Sequence, residues 1–224
     1  MPYLITLRRE PKVDVSLGAI NDAGARGLLD PGSPVRRHYE ELAGNLLKME
    51  GTGSVVVTSP DPGAGRTSVC FGLGAALAGM GRRAAIVDCN LENAQLHRML
   101  GEPNFVGVTS GLDDSKPLEH YGYEVIPGLL VVTTGPILID PASLLEDEGV
   151  KKAVRGLQKS RDLVLLDAPV AERVLRSQNL LGGFDGVLLV VHASRTPKSV
   201  ARETTDDLLE AGSNLLGVVL NGCS

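Results

Sequence analysis

The sequence predicts an α/β fold in which a mostly parallel sheet lies between two layers of helices. Three observations carry this. The runs Ser54–Thr58, Ala84–Asp88 and Leu163–Asp167 are short and apolar without the polar alternation of a half-exposed strand, which marks strands covered on both faces. The segment Thr67–Met80 has helical spacing but is apolar nearly all round (Val69, Phe71, Leu73, Ala76, Leu77, Met80), so it belongs inside a layered domain. Strands and helices then alternate along the chain, which implies right-handed crossovers and parallel pairing.

Each element follows in order. Residues 1–34 show no sustained periodicity, and Leu28-Leu29-Asp30-Pro31-Gly32-Ser33-Pro34 is rich in breakers, so an irregular N-terminal arm is expected ahead of one folded domain over 35–224. Val35–Lys48 reads as a helix with Arg and Glu on one side and Tyr39, Leu42, Leu46 and Leu47 on the other. Gly51-Thr52-Gly53 ends it, and the first strand, Ser54–Thr58, follows. Gly81 closes the apolar helix before the second strand, Ala84–Asp88. Leu129–Thr133 is the third strand. Pro141–Lys159 is an amphipathic helix with its proline at the tolerated first position. Leu163–Asp167 and Val187–Val191 are the fourth and fifth strands; helix Pro197–Ala211, ended by Gly212, leads to the sixth, Leu215–Leu220.

Composition narrows the function. The 224 residues suit one domain, and 43% apolar with 22% charged residues is globular. A net charge of −5 and an aromatic content of 3% argue against nucleic-acid binding, which draws on basic surfaces and stacking rings. No apolar run approaches the about 20 residues of a membrane span, and Met1–Pro11 is too polar for a signal peptide. Cys70, Cys89 and Cys223 are widely spaced and offer no C-x-x-C pair, so small buried thiols in a reducing cytosol are expected.

The chemistry gathers between the first strand and the apolar helix, in Thr58-Ser59-Pro60-Asp61-Pro62-Gly63-Ala64-Gly65-Arg66-Thr67-Ser68. A glycine-rich turn between strand and helix exposes backbone N–H groups and a helix N-terminus, a ready phosphate site. Gly63 and Gly65 let the backbone bend round an anion, and Thr67 sits where a hydroxyl ligates Mg²⁺. Against the phosphate-loop pattern G-x-x-x-x-G-K-[ST], Pro60 stands at the first Gly and Arg66 at the Lys. Arg is longer and planar where Lys is compact, so binding is expected to survive better than phosphoryl transfer. The bland alternative is a plain strand-to-helix turn.

Two strands end in acids: Asp88 in Ile86-Val87-Asp88-Cys89-Asn90-Leu91-Glu92, and Asp167 in Leu163-Val164-Leu165-Leu166-Asp167-Ala168-Pro169. That places carboxylates at the carboxyl edge of a parallel sheet, where ligands bind. Beside a phosphate loop they are candidates to hold Mg²⁺ or orient an attacking group; the alternative for each is a turn or capping Asp.

With these motifs the chain resembles the cytoplasmic domain of the bacterial tyrosine kinases of capsule and exopolysaccharide synthesis, within the P-loop ATPases that include septum-positioning and partition proteins. The resemblance runs from about Val35 to Cys223. The phosphate loop, Ile86–Glu92 (a D-x-D-x-R motif in the family) and Leu163–Pro169 (an aliphatic strand with D-x-P) carry it. Gly135-Pro136, Asp140–Leu145 and the last strand Gly217–Asn221 support it. It implies a three-layer P-loop NTPase fold. It implies ATP or ADP on Pro62, Gly63, Ala64, Gly65, Arg66, Thr67 and Ser68, with Asn221 near the adenine. It implies Mg²⁺ on Thr67, Asp88 and Asp167, the two acids serving catalysis. It further implies a membrane-anchored chain-length or export protein as partner, homo-oligomers or mixed assembly with a related kinase, and a cytoplasmic place at the inner face of the membrane.

The chain also departs from the family. Arg66 replaces Lys, Asn90 the second Asp of D-x-D, and Glu92 its Arg. The assembly motif E-x-x-R-x-x-R falls on Arg37, Glu40 and Ala43, and the sequence ends at Asn221-Gly222-Cys223-Ser224 without the family's Tyr-rich tail. The resulting expectation is a nucleotide-binding regulator of polysaccharide synthesis or export with weakened or lost kinase activity. The alternatives are an active kinase or ATPase using Arg66, a partition or septum-positioning ATPase, and a scaffold without nucleotide. Outside the motifs, His38, His97, His120 and His192 lack metal-ligand spacing, with His97 a candidate at the pocket edge. Tyr121 and Tyr123, in an expected loop, are candidate internal phosphoacceptors. Glu146-Asp147-Glu148 with Lys151-Lys152 reads as a solvated helix face with i, i+4 pairing.

Overall fold

The computed structural model describes residues 23–30, 32–113, 116–136 and 148–222. A seven-stranded sheet runs through them in the order β3-β4-β2-β5-β1-β6-β7. Its strands are β1 (Ser54–Thr58), β2 (Ala84–Asp88), β3 (Tyr123–Ile126), β4 (Leu129–Val132), β5 (Leu163–Asp167), β6 (Gly186–His192) and β7 (Leu215–Asn221). All neighbours pair in parallel except β3, which pairs antiparallel with β4 at the edge. This is the three-layer α/β fold expected from the alternation of elements. β3 is the strand that the periodicity missed. It is only four residues long, half its side chains face out, and Pro127-Gly128 turns it straight into β4.

Helices α1 (Ala23–Leu29), α2 (Pro34–Leu47) and α3 (Arg66–Gly79) cover one face. Helices α4 (Leu96–Leu100), α5 (Val108–Asp113), α6 (Glu148–Gln158), α7 (Ala171–Arg176), α8 (Gln178–Gly182) and α9 (Lys198–Glu210) complete the described set. Val150, Val154 and Leu157 of α6, Val174 of α7, Leu180 of α8 and Leu208 of α9 pack on the opposite face. Because the strands alternate their side chains, Val55 and Val57 enter the first core while Val56 enters the second. The all-round apolar character of α3 has a direct cause: it lies between the sheet on one side and α1 and α2 on the other. Gly72 lets Tyr39 of α2 lie against its backbone, since a Cβ there would meet the ring at 2.6 Å.

Three expectations change. The arm is not wholly irregular: α1 lies in it, with Leu28 and Leu29 buried in the core, while residues 1–22 lie outside the described residues. Arg36, expected on a charged outer side, is buried at 4% exposure. It donates from Nη2 to the Ala75 carbonyl at 2.8 Å and pairs through Nε with Glu40 at 3.2 Å, clamping α2 on α3. Tyr123 is buried in β3 and Tyr121 ends a 3₁₀ turn, Leu118–Tyr121, so neither lies in an open loop. The expected helix from Pro141 is described from Glu148 on, and 141–147 lie outside the described residues. Within it Glu148 pairs with Lys151 at 3.5 Å with i, i+3 spacing.

Candidate nucleotide-binding site

Parallel pairing brings the site together. Val57 of β1 and Asp88 of β2 both align with Asp167 of β5, so the two carboxylates stand side by side next to the loop leaving β1. Both are fully buried.

The loop reaches α3 through Gly63 and Gly65, at φ of 72° and 93°, a left-handed conformation that a Cβ disfavours. At Gly65 a Cβ would also collide with the Asn221 amide. Asn221 ends β7, and its Nδ2 donates to the Ala64 carbonyl at 2.9 Å, bracing the loop from the far side. No described side chain caps the N-terminus of α3, whose unpaired N–H groups face a hollow of about 460 Å³. Gly63, Gly65, Arg66, Thr67 and Ser68 form one wall; Asn90, Asn93, Gln95, Arg98 and Met99 form the other. Of the predicted loop residues, Pro62 is exposed and Ala64 turns into the core, so neither side chain faces the hollow.

The acids have different employments. Asp88 spends its oxygens on the backbone: Oδ1 accepts from Asn90 N at 3.1 Å and Oδ2 from Leu96 N at 3.3 Å. It shapes the turn after β2, as the capping alternative anticipated. Burial pushes its pKa well up and the Asp167 charge adds to this, while the backbone N–H bonds oppose it. Asp167 receives a 2.6 Å hydrogen bond on Oδ2 from the Thr67 hydroxyl, and its Oδ1 is buried without a partner among the described residues. Burial raises its pKa from 3.8 to about 6 against the pull of the Thr67 bond and the Arg66 charge.

Arg66 lines the hollow, but its guanidinium is tied back to the start of the loop. It is 8% exposed, and Nη1 donates to Ser59 Oγ at 2.5 Å; that hydroxyl donates on to the Asp61 carbonyl at 2.6 Å. Burial lowers its pKa, and the charges of Asp167, Cys70 and Asp88 hold it up.

Magnesium keeps several waters and takes one or two carboxylates beside phosphate oxygens. The Thr67 hydroxyl and the orphaned Asp167 Oδ1 fit that donor set. Asn90, neutral and bonded through Nδ2 to the Asn93 carbonyl at 3.1 Å, adds no charge.

The structure also brings in residues that the motifs did not flag. Arg195, in the loop after β6, donates from Nη2 to the Gly63 carbonyl at 2.5 Å. His192 pairs in register with Asn221 at the ends of β6 and β7. Arg98, not His97, lines the hollow. Only Arg195 carried a usable signal, a cation directly after an apolar strand on the ligand edge. The reversed charge at Glu92 is answered by Arg173 of α7, at 3.2 Å. Both side chains are about half exposed, so the pair contributes little stability. Cys70 and Cys89 are free and buried, which raises both thiol pKa values; Cys223 lies outside the described residues.

Sheet order, phosphate loop and strand-end acids define a P-loop protein of the three-layer class. The chain belongs to the P-loop family of the cellulose biosynthesis protein BcsQ, whose family model matches residues 54–208. Among curated relatives, tyrosine-protein kinase YwqD of Bacillus subtilis (strain 168) is 31% identical over 170 residues, covering 75% of this chain and 72% of that protein. Putative tyrosine-protein kinase EpsB of Ralstonia solanacearum is 29% identical over 193 residues, 86% of this chain but 26% of its own length, so the chain spans about a quarter of that relative. Among solved structures, the chimerical protein CapA2B2 superposes with a TM-score of 0.81 at 25% identity, covering 91% of each chain. The fold alone is shared with the septum site-determining protein MinD of Pyrococcus horikoshii OT3 complexed with Mg-ADP, which matches 75% of this chain and 70% of its own at a TM-score of 0.58 and 24% identity.

Proposed function

We propose that this chain is a nucleotide-binding regulator of capsule or exopolysaccharide synthesis or export, with phosphoryl transfer to tyrosine weakened or lost. The observation that carries the reading is Arg66: the cation at the phosphate-loop Lys position is engaged with Ser59 at the start of the loop. Residues 35–224, with α1 packed against α3, form the nucleotide-binding unit. The N–H groups of Gly63–Ser68 cradle the phosphates of ATP or ADP, and Asn221 sets the loop from the base end. Thr67 and Asp167 would hold Mg²⁺, which when bound neutralises phosphate oxygens. Asp88 holds the turn that carries Asn90, and where the family has a second carboxylate Asn90 offers a neutral amide with no basicity to take a proton. The partner is a membrane-anchored chain-length or export protein, as the family resemblance implies; recruitment by it would place the chain at the inner face of the membrane.

The second reading, an active kinase or ATPase, is favoured by the intact Thr67–Asp167 contact. A phosphotyrosine assay on a tyrosine-containing acceptor peptide separates the two, run with and without the cytoplasmic segment of a membrane partner. The regulator reading expects little product from the unmodified chain and a gain of about tenfold or more in Arg66→Lys, Asn90→Asp. Strong transfer by the unmodified chain establishes the kinase reading instead.

A further inference from the structure

The hollow beside the loop has a second wall, of which only Asn90 belongs to the family motifs. Among the described residues its lining contains no carboxylate. Three neutral amides occupy it, and they organise one another: Asn90 Nδ2 bonds the Asn93 carbonyl at 3.1 Å, and Gln95 Nε2 bonds Asn93 Oδ1 at 2.6 Å. Arg98, on α4, is the cation of this wall, and it forms no ion pair among the described residues. Across the hollow stand Thr67, Ser68 and the uncapped start of α3, a 14-residue helix. Arg66, the residue expected to serve phosphate, is 8% exposed and bonded to Ser59.

Arg66 is tied to Ser59, and the Arg98 guanidinium, without an ion pair among the described residues, lines the wall opposite the loop. Arg presents a planar fork that bonds phosphate oxygens in pairs, so it recognises a terminal phosphoryl group better than a bridging one. We propose that Arg98 is the side chain that grips the terminal phosphate of a bound nucleoside triphosphate, making the site selective for tri- over diphosphate. The inference deepens the nucleotide-binding reading above and rests on it.

Calorimetric titration of the whole chain with ATP and with ADP, both with Mg²⁺, tests it, comparing unmodified protein, Arg98→Gln, Arg98→Lys and Arg66→Gln. Arg98→Gln should weaken ATP binding by about tenfold or more while changing ADP binding less than about threefold, the loss of a charge-assisted contact made only to the last phosphate. Arg98→Lys should restore part of that selectivity. Arg98 is exposed, so the melting temperature without nucleotide should not move in either variant. Arg66→Gln should lower that melting temperature, because it removes a buried guanidinium and its bond to Ser59. Unchanged ATP affinity in Arg98→Gln, or equal losses for ATP and ADP, overturns the assignment while leaving nucleotide binding intact. If the unmodified chain binds neither nucleotide, the nucleotide-binding reading fails and the Arg98 assignment with it.

Discussion

Asp167 is where the site and the fold are in tension. A carboxylate with one oxygen on Thr67 and the other unpartnered is held there by the strands around it, and burial raises its pKa from 3.8 to about 6. The folded state therefore takes up a proton more readily than the unfolded chain. The stability linked to this group is complete below its ordinary pKa and is lost as pH rises through the folded value. Without ligand, the melting temperature should fall between about pH 4 and about pH 6, and Asp167→Asn should flatten that slope in a pH series of thermal melts. A pH dependence identical in both proteins contradicts this picture. Mg-nucleotide, which needs the ionised form, should release protons on binding near pH 6, measurable by titration in buffers of different ionisation enthalpy. The sequence showed the acid and its strand; it did not show that Asp88 would be consumed by the Asn90 and Leu96 amides while Asp167 kept an oxygen free.

At the scale of elements, the loop and α3 act as one piece. Gly65 takes a left-handed conformation in a space closed by Asn221, so Gly65→Ala faces both backbone strain and a collision. It should cost more than about 1 kcal/mol of stability and abolish nucleotide binding, checked by chemical denaturation and nucleotide titration. Phe71, fully buried on α3 between sheet and helices, should cost about 3–5 kcal/mol on Phe71→Ala, read from the same denaturation curves. A loss below about 1 kcal/mol would mean that α3 is not packed between two layers. The strands were legible because burial on both faces leaves a continuous apolar run, and β1, β2 and β5 match their predicted ranges residue for residue. β3 was not, because a four-residue edge strand needs no such run. α4, α5, α7 and α8 are one or two turns each and too short to show a period.

Over the whole molecule, two of the departures from the family motifs meet opposite charges: Glu92 pairs with Arg173, and Glu40 with Arg36. Charge alternation along a sequence does not reveal such pairs, since Glu92 and Arg173 meet only when β2 and β5 bring their following segments together. The same assembly leaves the hollow between α3 and α4 open, and on the function proposed above that hollow takes nucleotide. Titration of ATP with and without Mg²⁺ into the unmodified chain tests this most directly. Saturable binding, tightened by Mg²⁺ and abolished in Gly65→Ala, is the expected result; no binding of ATP at about millimolar concentration, with or without Mg²⁺, would rule out a working nucleotide site.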